Sequence, residues 1–287
     1  MPTRSAFLPD RSKDVAATLQ QLGAHESWGT AYETPENEAF FDLALDYIAE
    51  IFGPPGDDVV LDAGCGSGTK SIPLARRGYP VLGVDLSEKV LELGRRDVAA
   101  AGLADRIRLR REDLTAMSFP DRSFDRILCW GVLMHVPEVD RAIAELSRVA
   151  RPGALLVVSE GNVRSLQAVG LRAVKRLLGR ERSELRATPA GMEFWDETPT
   201  GTLLTRQARI DWIVRRFAAH GVTLLRRRAG QFSELFTMLP WKPARTAVHS
   251  WNSLWFRWPA LAGPSFGNLL VLRKGSSAPP TGSAFGT

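Results

Sequence analysis

Cysteine is nearly absent from this 287-residue chain, with Cys65 and Cys129 the only two. Two thiols cannot staple a small secreted scaffold, and with no Cys-x-x-Cys pair and no Cys/His cluster no metal site is expected. Histidine is scarce as well: His25, His135, His220 and His249 are all there is, so few side chains change charge near neutral pH. No stretch approaches the ~20 uninterrupted apolar residues that a spanning helix needs, and Met1–Asp10 lacks the apolar core of a secretory signal. A reducing, cytoplasmic setting is expected. There is no internal repeat.

The composition is otherwise that of a globular protein, 44% hydrophobic and 24% charged, which excludes wholesale disorder and provides for a sizeable core. The net charge of +5 hides an asymmetry. Residues 1–162 hold 18 basic and 25 acidic side chains, a net of −7, whereas residues 163–287 hold 19 and 7, a net of +12. Halves so different in charge are expected to face different ligands.

Residues 1–35, broken by Pro2, Pro9 and Pro35, read as an N-terminal arm or lid with one short helix near Asp14–Leu22. A helix over 36–52 follows, and the core then runs to residue 160. In it, strands at 59–61, 81–84, 107–110, 124–130 and 154–159 alternate with helices at 69–77, 87–101 and 138–150. This βαβ rhythm predicts an α/β fold, a doubly wound parallel sheet with helices on both faces. Residues 161–204 break the rhythm and read as an inserted cap, a basic helix near 163–178 followed by a Thr/Pro/Gly-rich loop at 188–201. Residues 205–274 complete the sheet through a helix at 206–220 and strands at 222–227 and 268–273, with an aromatic-rich insertion at 231–265. The Ser/Pro/Gly-rich tail, 275–287, reads as disordered.

The informative segment is Val59-Val60-Leu61-Asp62-Ala63-Gly64-Cys65-Gly66-Ser67-Gly68-Thr69. A strand feeding closely spaced glycines and then a helix lets the backbone approach a ligand closely at the strand's carboxyl end. The dinucleotide fingerprint asks for a glycine where Thr69 stands, and Asp62 suits a cationic ligand better than a diphosphate, so a nicotinamide enzyme is the weaker reading. Asp85 ends the second strand, where a carboxylate takes both hydroxyls of a ribose.

The run Leu61–Gly68 resembles motif I of the class I S-adenosylmethionine (SAM)-dependent methyltransferases, and Val81–Ser87 resembles motif II. Arg110–Leu114, Phe119–Asp125, Leu133–Val136 and Arg151–Ala154 fall where that family has its later landmarks. The wording is most similar to the methyltransferase type 11 branch, which includes ubiquinone- and menaquinone-biosynthesis enzymes. The resemblance implies a Rossmann-like seven-stranded sheet, mostly parallel with an antiparallel last strand, plus substrate-cap insertions. It implies SAM as cofactor, with Gly64, Cys65, Gly66 and Gly68 along its methionine part and Asp62 near its ammonium. It further implies Asp85 on the ribose, Leu86 packed on the adenine, Leu114 offering the ring a backbone donor, Asp113 on the adenine amino group, and Cys129 and Trp130 near the sulfonium.

Methyl transfer needs a base only when the acceptor must lose a proton. His135, on a loop implied to face the cofactor, is the first candidate, and Glu160, ending the fifth strand, the second. Trp28 and Tyr32 are candidates for a lid. The expected acceptor is small or medium, through an oxygen of a glycan, lipid-linked or natural-product substrate, and not nucleic acid. The basic helix within 163–186, with seven basic and two acidic residues, would cap the site or touch an anionic membrane. The alternative is a non-catalytic SAM-binding or membrane-surface module of the same fold.

Overall fold

The computed structural model describes residues 11–32, 34–179, 184–258 and 261–276. The arm's first ten residues and the tail expected to be disordered, from 277 onward, lie outside the described residues. The arm forms two helices where the sequence suggested one, α1 (Ser12–Leu19) and α2 (Leu22–Tyr32). Helix α3 (Pro35–Phe52) starts where Thr34 accepts a hydrogen bond from Asn37 N and Pro35 fills the first turn. It ends at Gly53, whose φ is +73°.

The core then alternates as the sequence indicates: β1 (Val60–Ala63), α4 (Ser71–Arg76), β2 (Val81–Asp85), α5 (Glu88–Ala100), β3 (Ile107–Arg111), β4 (Phe124–Trp130), α6 (Val139–Val149) and β5 (Ala150–Gly161). After helix α7 (Leu166–Leu177) come β6 (Glu184–Thr188), β7 (Gly191–Thr198) and β8 (Gly201–Ala208). Helix α8 (Ile210–Ala219), β9 (Val222–Ala229), α9 (Lys242–Arg257) and β10 (Gly267–Lys274) complete the chain. The large sheet has seven strands in the order β3-β2-β1-β4-β5-β10-β9, and only β10 runs antiparallel to its neighbours.

Alternation along each strand builds two cores. Leu61, Ala63, Leu156, Val158, Leu270 and Leu272 point to the face covered by α6 and α8. Val60, Val157, Leu269 and Val271 point to the face covered by α3, α4 and α9. Helix α6 buries Val139, Ala142, Ile143, Leu146 and Val149, one stripe at 3.6-residue spacing. At about 1.5–3 kcal/mol for each large side chain removed from water, such stripes hold the layers together.

Three expectations change. The stretch 188–201, read as a loop, is the heart of an antiparallel sheet, β6-β7-β8, whose turns fall at 189–190 and 199–200. Strand β8 occupies 201–208, so the following helix begins at Ile210 rather than 206. The fifth strand starts at Ala150, because the Arg151-Pro152-Gly153 turn is a bulge in its pairing with β4.

Candidate functional site

The carboxyl ends of β1, β2, β3 and β4 open onto one cavity of about 470 Å³, within the range of small-molecule sites. The glycine loop forms its floor. Gly64 has φ +78°, and a Cβ there would lie 2.5 Å from both methyls of Val132, so only glycine lets the loops after β1 and β4 meet. Gly66 has φ +55°, and a Cβ built on it would meet nothing within 4 Å, so its backbone borders open space. Gly66 N donates to Asp85 Oδ2 and Ser87 N to Asp85 Oδ1, each at 3.0 Å. Two amides thus fix the carboxylate and leave part of its acceptor capacity for a ligand.

Of the residues implied to hold the cofactor, Gly64, Cys65, Gly66, Asp85, Leu86, Asp113, Leu114 and Trp130 line the cavity. Asp113 Oδ1 accepts from Thr115 N (2.8 Å) and Thr115 Oγ1 (2.7 Å), so half of that carboxylate is spent on its own turn. Asp62, Gly68 and Cys129 stand behind the wall. Asp62 is 2% exposed and accepts from Ser71 Oγ at 2.6 Å, which ties the first strand to the start of α4. Burial lifts its pKa to about 6. Burial likewise raises both thiols, Cys65 and Cys129, well above their ordinary range.

The two candidate bases separate. His135 lines the cavity, and its Nδ1 sits 2.8 Å from the Leu204 carbonyl, which can only accept; the ring is therefore the Nδ1–H tautomer with Nε2 free to accept. Trp28 stacks on it at 4.5 Å between ring centres. Burial pushes its pKa down to about 4, so it stays neutral and weakly basic. Glu160 is absent from the cavity wall. Its Oε1 accepts from Leu133 N at 2.9 Å, and its Oε2 is buried without a hydrogen-bond partner among the described residues. Glu160, the second candidate base, is 2% exposed and bonded to the loop after β4.

Two groups that sequence reasoning left out also line the cavity. Glu234 lines the cavity, accepts from Tyr32 Oη at 3.1 Å, and is pushed up to about 7 by burial, with the Tyr32 bond pulling it down. Gln231 lines the cavity three residues earlier and donates to Asn37 Oδ1 at 2.8 Å. The one sequence signal is that Glu234 is the chain's last acidic residue, set in an aromatic stretch. Phe41, Trp130 and Phe266 supply aromatic surface to the same cavity.

Burial raises the pKa of Glu160 to about 8, Glu234 to about 7 and Asp62 to about 6. Each binds its proton more tightly folded than unfolded, so stability falls as pH rises from the ordinary carboxylate range through these values. The Tm should be lower at about pH 9 than at about pH 6, and Glu160→Gln, which cannot ionise, should shrink the drop. Equal melting at both pH values would contradict this account.

Residues 61–158 match the family model described as "Methyltransferase domain". A ubiquinone biosynthesis O-methyltransferase from Hahella chejuensis is 36% identical over 140 residues, 48% of this chain and 58% of the relative. A demethylmenaquinone methyltransferase from Symbiobacterium thermophilum is 34% identical over 120 residues, 41% and 47% of the two chains. The chain thus spans about half the length of these curated relatives. Among solved structures, magnesium protoporphyrin IX methyltransferase from Synechocystis PCC 6803, with bound SAH, shares the fold at TM-score 0.60 and 18% identity. That match covers 92% of this chain and all of the other.

Proposed function

We propose that this chain is a class I SAM-dependent methyltransferase, similar to the ubiquinone and demethylmenaquinone methyltransferases, and that it methylates an oxygen of a small or medium acceptor; the match of residues 61–158 to a methyltransferase domain supports the reading. The observation that carries the reading is the pairing, across one cavity, of the Asp85–glycine-loop cradle with the Tyr32–Glu234 pair. The open space over Gly66 and the anchored Asp85 carboxylate fit an adenosyl cofactor: Asp85 for the ribose, Leu86 and Leu114 for the ring, Gly64 and Gly66 for the amino-acid part. When bound, SAM supplies an activated methyl group for in-line displacement and leaves as S-adenosylhomocysteine.

The chain's own part is alignment, exclusion of water and a destination for the acceptor's proton. Phe41, Trp130 and Phe266 hold an aromatic or isoprenoid acceptor by its apolar surface. Glu234 takes the hydroxyl proton as the oxygen–methyl bond forms, and Tyr32 keeps its carboxylate oriented. His135 Nε2 offers a second, weaker acceptor to the same hydroxyl. Phenolic, lipid-linked and natural-product acceptors suit this wall better than a fully polar glycan.

Incubation with SAM and a panel of catechols, quinols and sugars, read by mass spectrometry for the gain of one methyl group, tests the reading. No methylated product together with no SAM binding would end it. With a working acceptor, kcat/KM should rise with pH through a limb near 7, the value at which Glu234 loses its proton. Glu234→Gln should lower kcat by about 10²–10⁴ and erase that limb. Tyr32→Phe removes a bond that stabilises the carboxylate, so the limb should move to higher pH. A limb that survives Glu234→Gln and disappears in His135→Gln would transfer the proton to His135.

A further inference from the structure

Helix α9 is amphipathic the wrong way round for a soluble surface. Its buried face carries His249, Asn252 and Phe256, whereas Pro243, Ala247, Trp251, Leu254 and Trp258 form an exposed stripe at spacings of four, four, three and four residues. Trp251 is 45%, Leu254 50% and Trp258 67% exposed. Large apolar side chains left in water in such a row mark a surface that meets something apolar.

Helix α7 repeats the pattern. Only Ala168 is buried, and every residue from Ala173 to Gly179 is exposed, so the second half of the helix stands clear of the described body. Leu166, Val169, Val174 and Leu177 are each at least half exposed, with Lys175 and Arg176 among them. The two helices are joined through the segments around 232–234 and 261–266. Leu166 N donates to Pro264 O, Gln167 Oε1 accepts from Ser233 Oγ and Glu234 N, and Asn252 bonds to the Ser233 backbone. Phe232 packs on Trp251 and Trp255, and Leu261, in the connecting segment, is 75% exposed.

Charge selects the occupant. There is no aspartate or glutamate from residue 161 to 180, nor anywhere after Glu234, while Arg164, Lys175, Arg176, Lys242, Arg245 and Arg257 are distributed over the two helices and their flanks. Segments that carry only cations disfavour pairing with the same segments of a second copy. Tryptophan, leucine and basic side chains in one exposed surface are the composition of elements that lie in the headgroup layer of a bilayer. We propose that α7, α9 and Leu261 form a docking surface for an anionic lipid bilayer. The turn 231–234, which presents Gln231 and Glu234 to the cavity and Phe232 to this surface, puts the acceptor's side of the cavity next to the membrane. The inference concerns a lipid surface and stands without methyl transfer.

Co-sedimentation of the full chain with vesicles tests it, in the absence of SAM. Vesicles of phosphatidylcholine with about 30% phosphatidylglycerol should retain the protein at least about tenfold better than phosphatidylcholine alone, with loss of the difference at ~1 M salt. The variant Trp251→Ser/Leu254→Ser/Trp258→Ser, and separately Lys175→Glu/Arg176→Glu, should each weaken retention about tenfold while SAM titration is unchanged. Brominated lipids should quench wild-type tryptophan fluorescence, a readout that needs no variant. Absence of binding at low salt, undiminished binding by both variants, or a stable dimer that the triple variant dissociates would overturn the proposal. Loss of SAM binding alone would sink the methyltransferase reading and leave this one standing.

Discussion

Arg206→Met is expected to lower the unfolding free energy by about 3–5 kcal/mol, the cost of leaving a buried ion pair half made. Arg206 is 2% exposed and sits on β8 of the three-stranded sheet. Its Nε and Nη2 donate to Glu193 Oε1 at 3.1 and 2.9 Å, and its Nη1 donates to the carbonyls of Leu133 (2.9 Å) and Val136 (3.0 Å). Methionine fills similar volume but leaves the Glu193 carboxylate, 6% exposed, with Thr188 Oγ1 and Trp195 Nε1 as its remaining side-chain donors. The Leu133 and Val136 carbonyls each lose a charged donor as well, Leu133 O keeping Val136 N at 3.3 Å.

The same guanidinium ties the three-stranded sheet to the loop that follows β4, so stability and the site should fail together. That loop carries Val132, Met134 and His135 into the cavity wall. Adding Glu193→Leu to Arg206→Met removes the stranded charge and should recover much of the stability without refastening the loop. The double variant should therefore melt close to wild type yet bind SAM several-fold more weakly. Urea unfolding and calorimetric titration on the same preparations separate the two effects. A loss below about 1 kcal/mol in the single variant would show that the pair is solvated in solution.

Arg206 also explains why the three-stranded sheet was illegible in the sequence. Strand β8 alternates correctly, with Thr202, Leu204, Arg206 and Ala208 turned inward. An arginine and a threonine at inward positions defeat a reading based on hydrophobic period. Glu193 is the partner, but it lies thirteen residues away on another strand, and nothing local announces the pairing. Helix α9 misleads in the opposite sense, since Trp251 looks like core and is exposed while His249 and Asn252 are buried. The Rossmann-like core was legible because its signals are local: a glycine loop after a short apolar strand, Ser87 at a cap, Pro-Gly at a strand's start. The Tyr32–Glu234 pair spans 202 residues of chain and could appear only once the fold had brought both ends to one cavity.

The second large effect belongs to Asp85, which the motif resemblance assigns to the cofactor's ribose and the fold sets in the cavity wall. Asp85→Ala should weaken SAM binding by about a hundredfold or more. Two hydrogen bonds to an ionised acceptor, at about 1.5 kcal/mol or more each, amount to ~3 kcal/mol, and each 1.4 kcal/mol is tenfold in Kd. The figure is a lower bound, because the same carboxylate anchors Gly66 N and Ser87 N, and the glycine loop loosens when it goes. Asp85→Asn keeps one oxygen and should fall between the two. Asp113→Ala should cost less than about tenfold, since Thr115 already occupies one of its oxygens and the proposed adenine contact would be a single bond. Calorimetric titration with SAM gives the order of the three, with thermal melts to confirm that each variant is folded, and a parallel titration with NAD tests the dinucleotide reading. If Asp85→Ala binds within about threefold of wild type, the ribose lies elsewhere. The glycine loop, open above Gly66 and closed against Val132 at Gly64, would then have to hold the cofactor by its backbone alone.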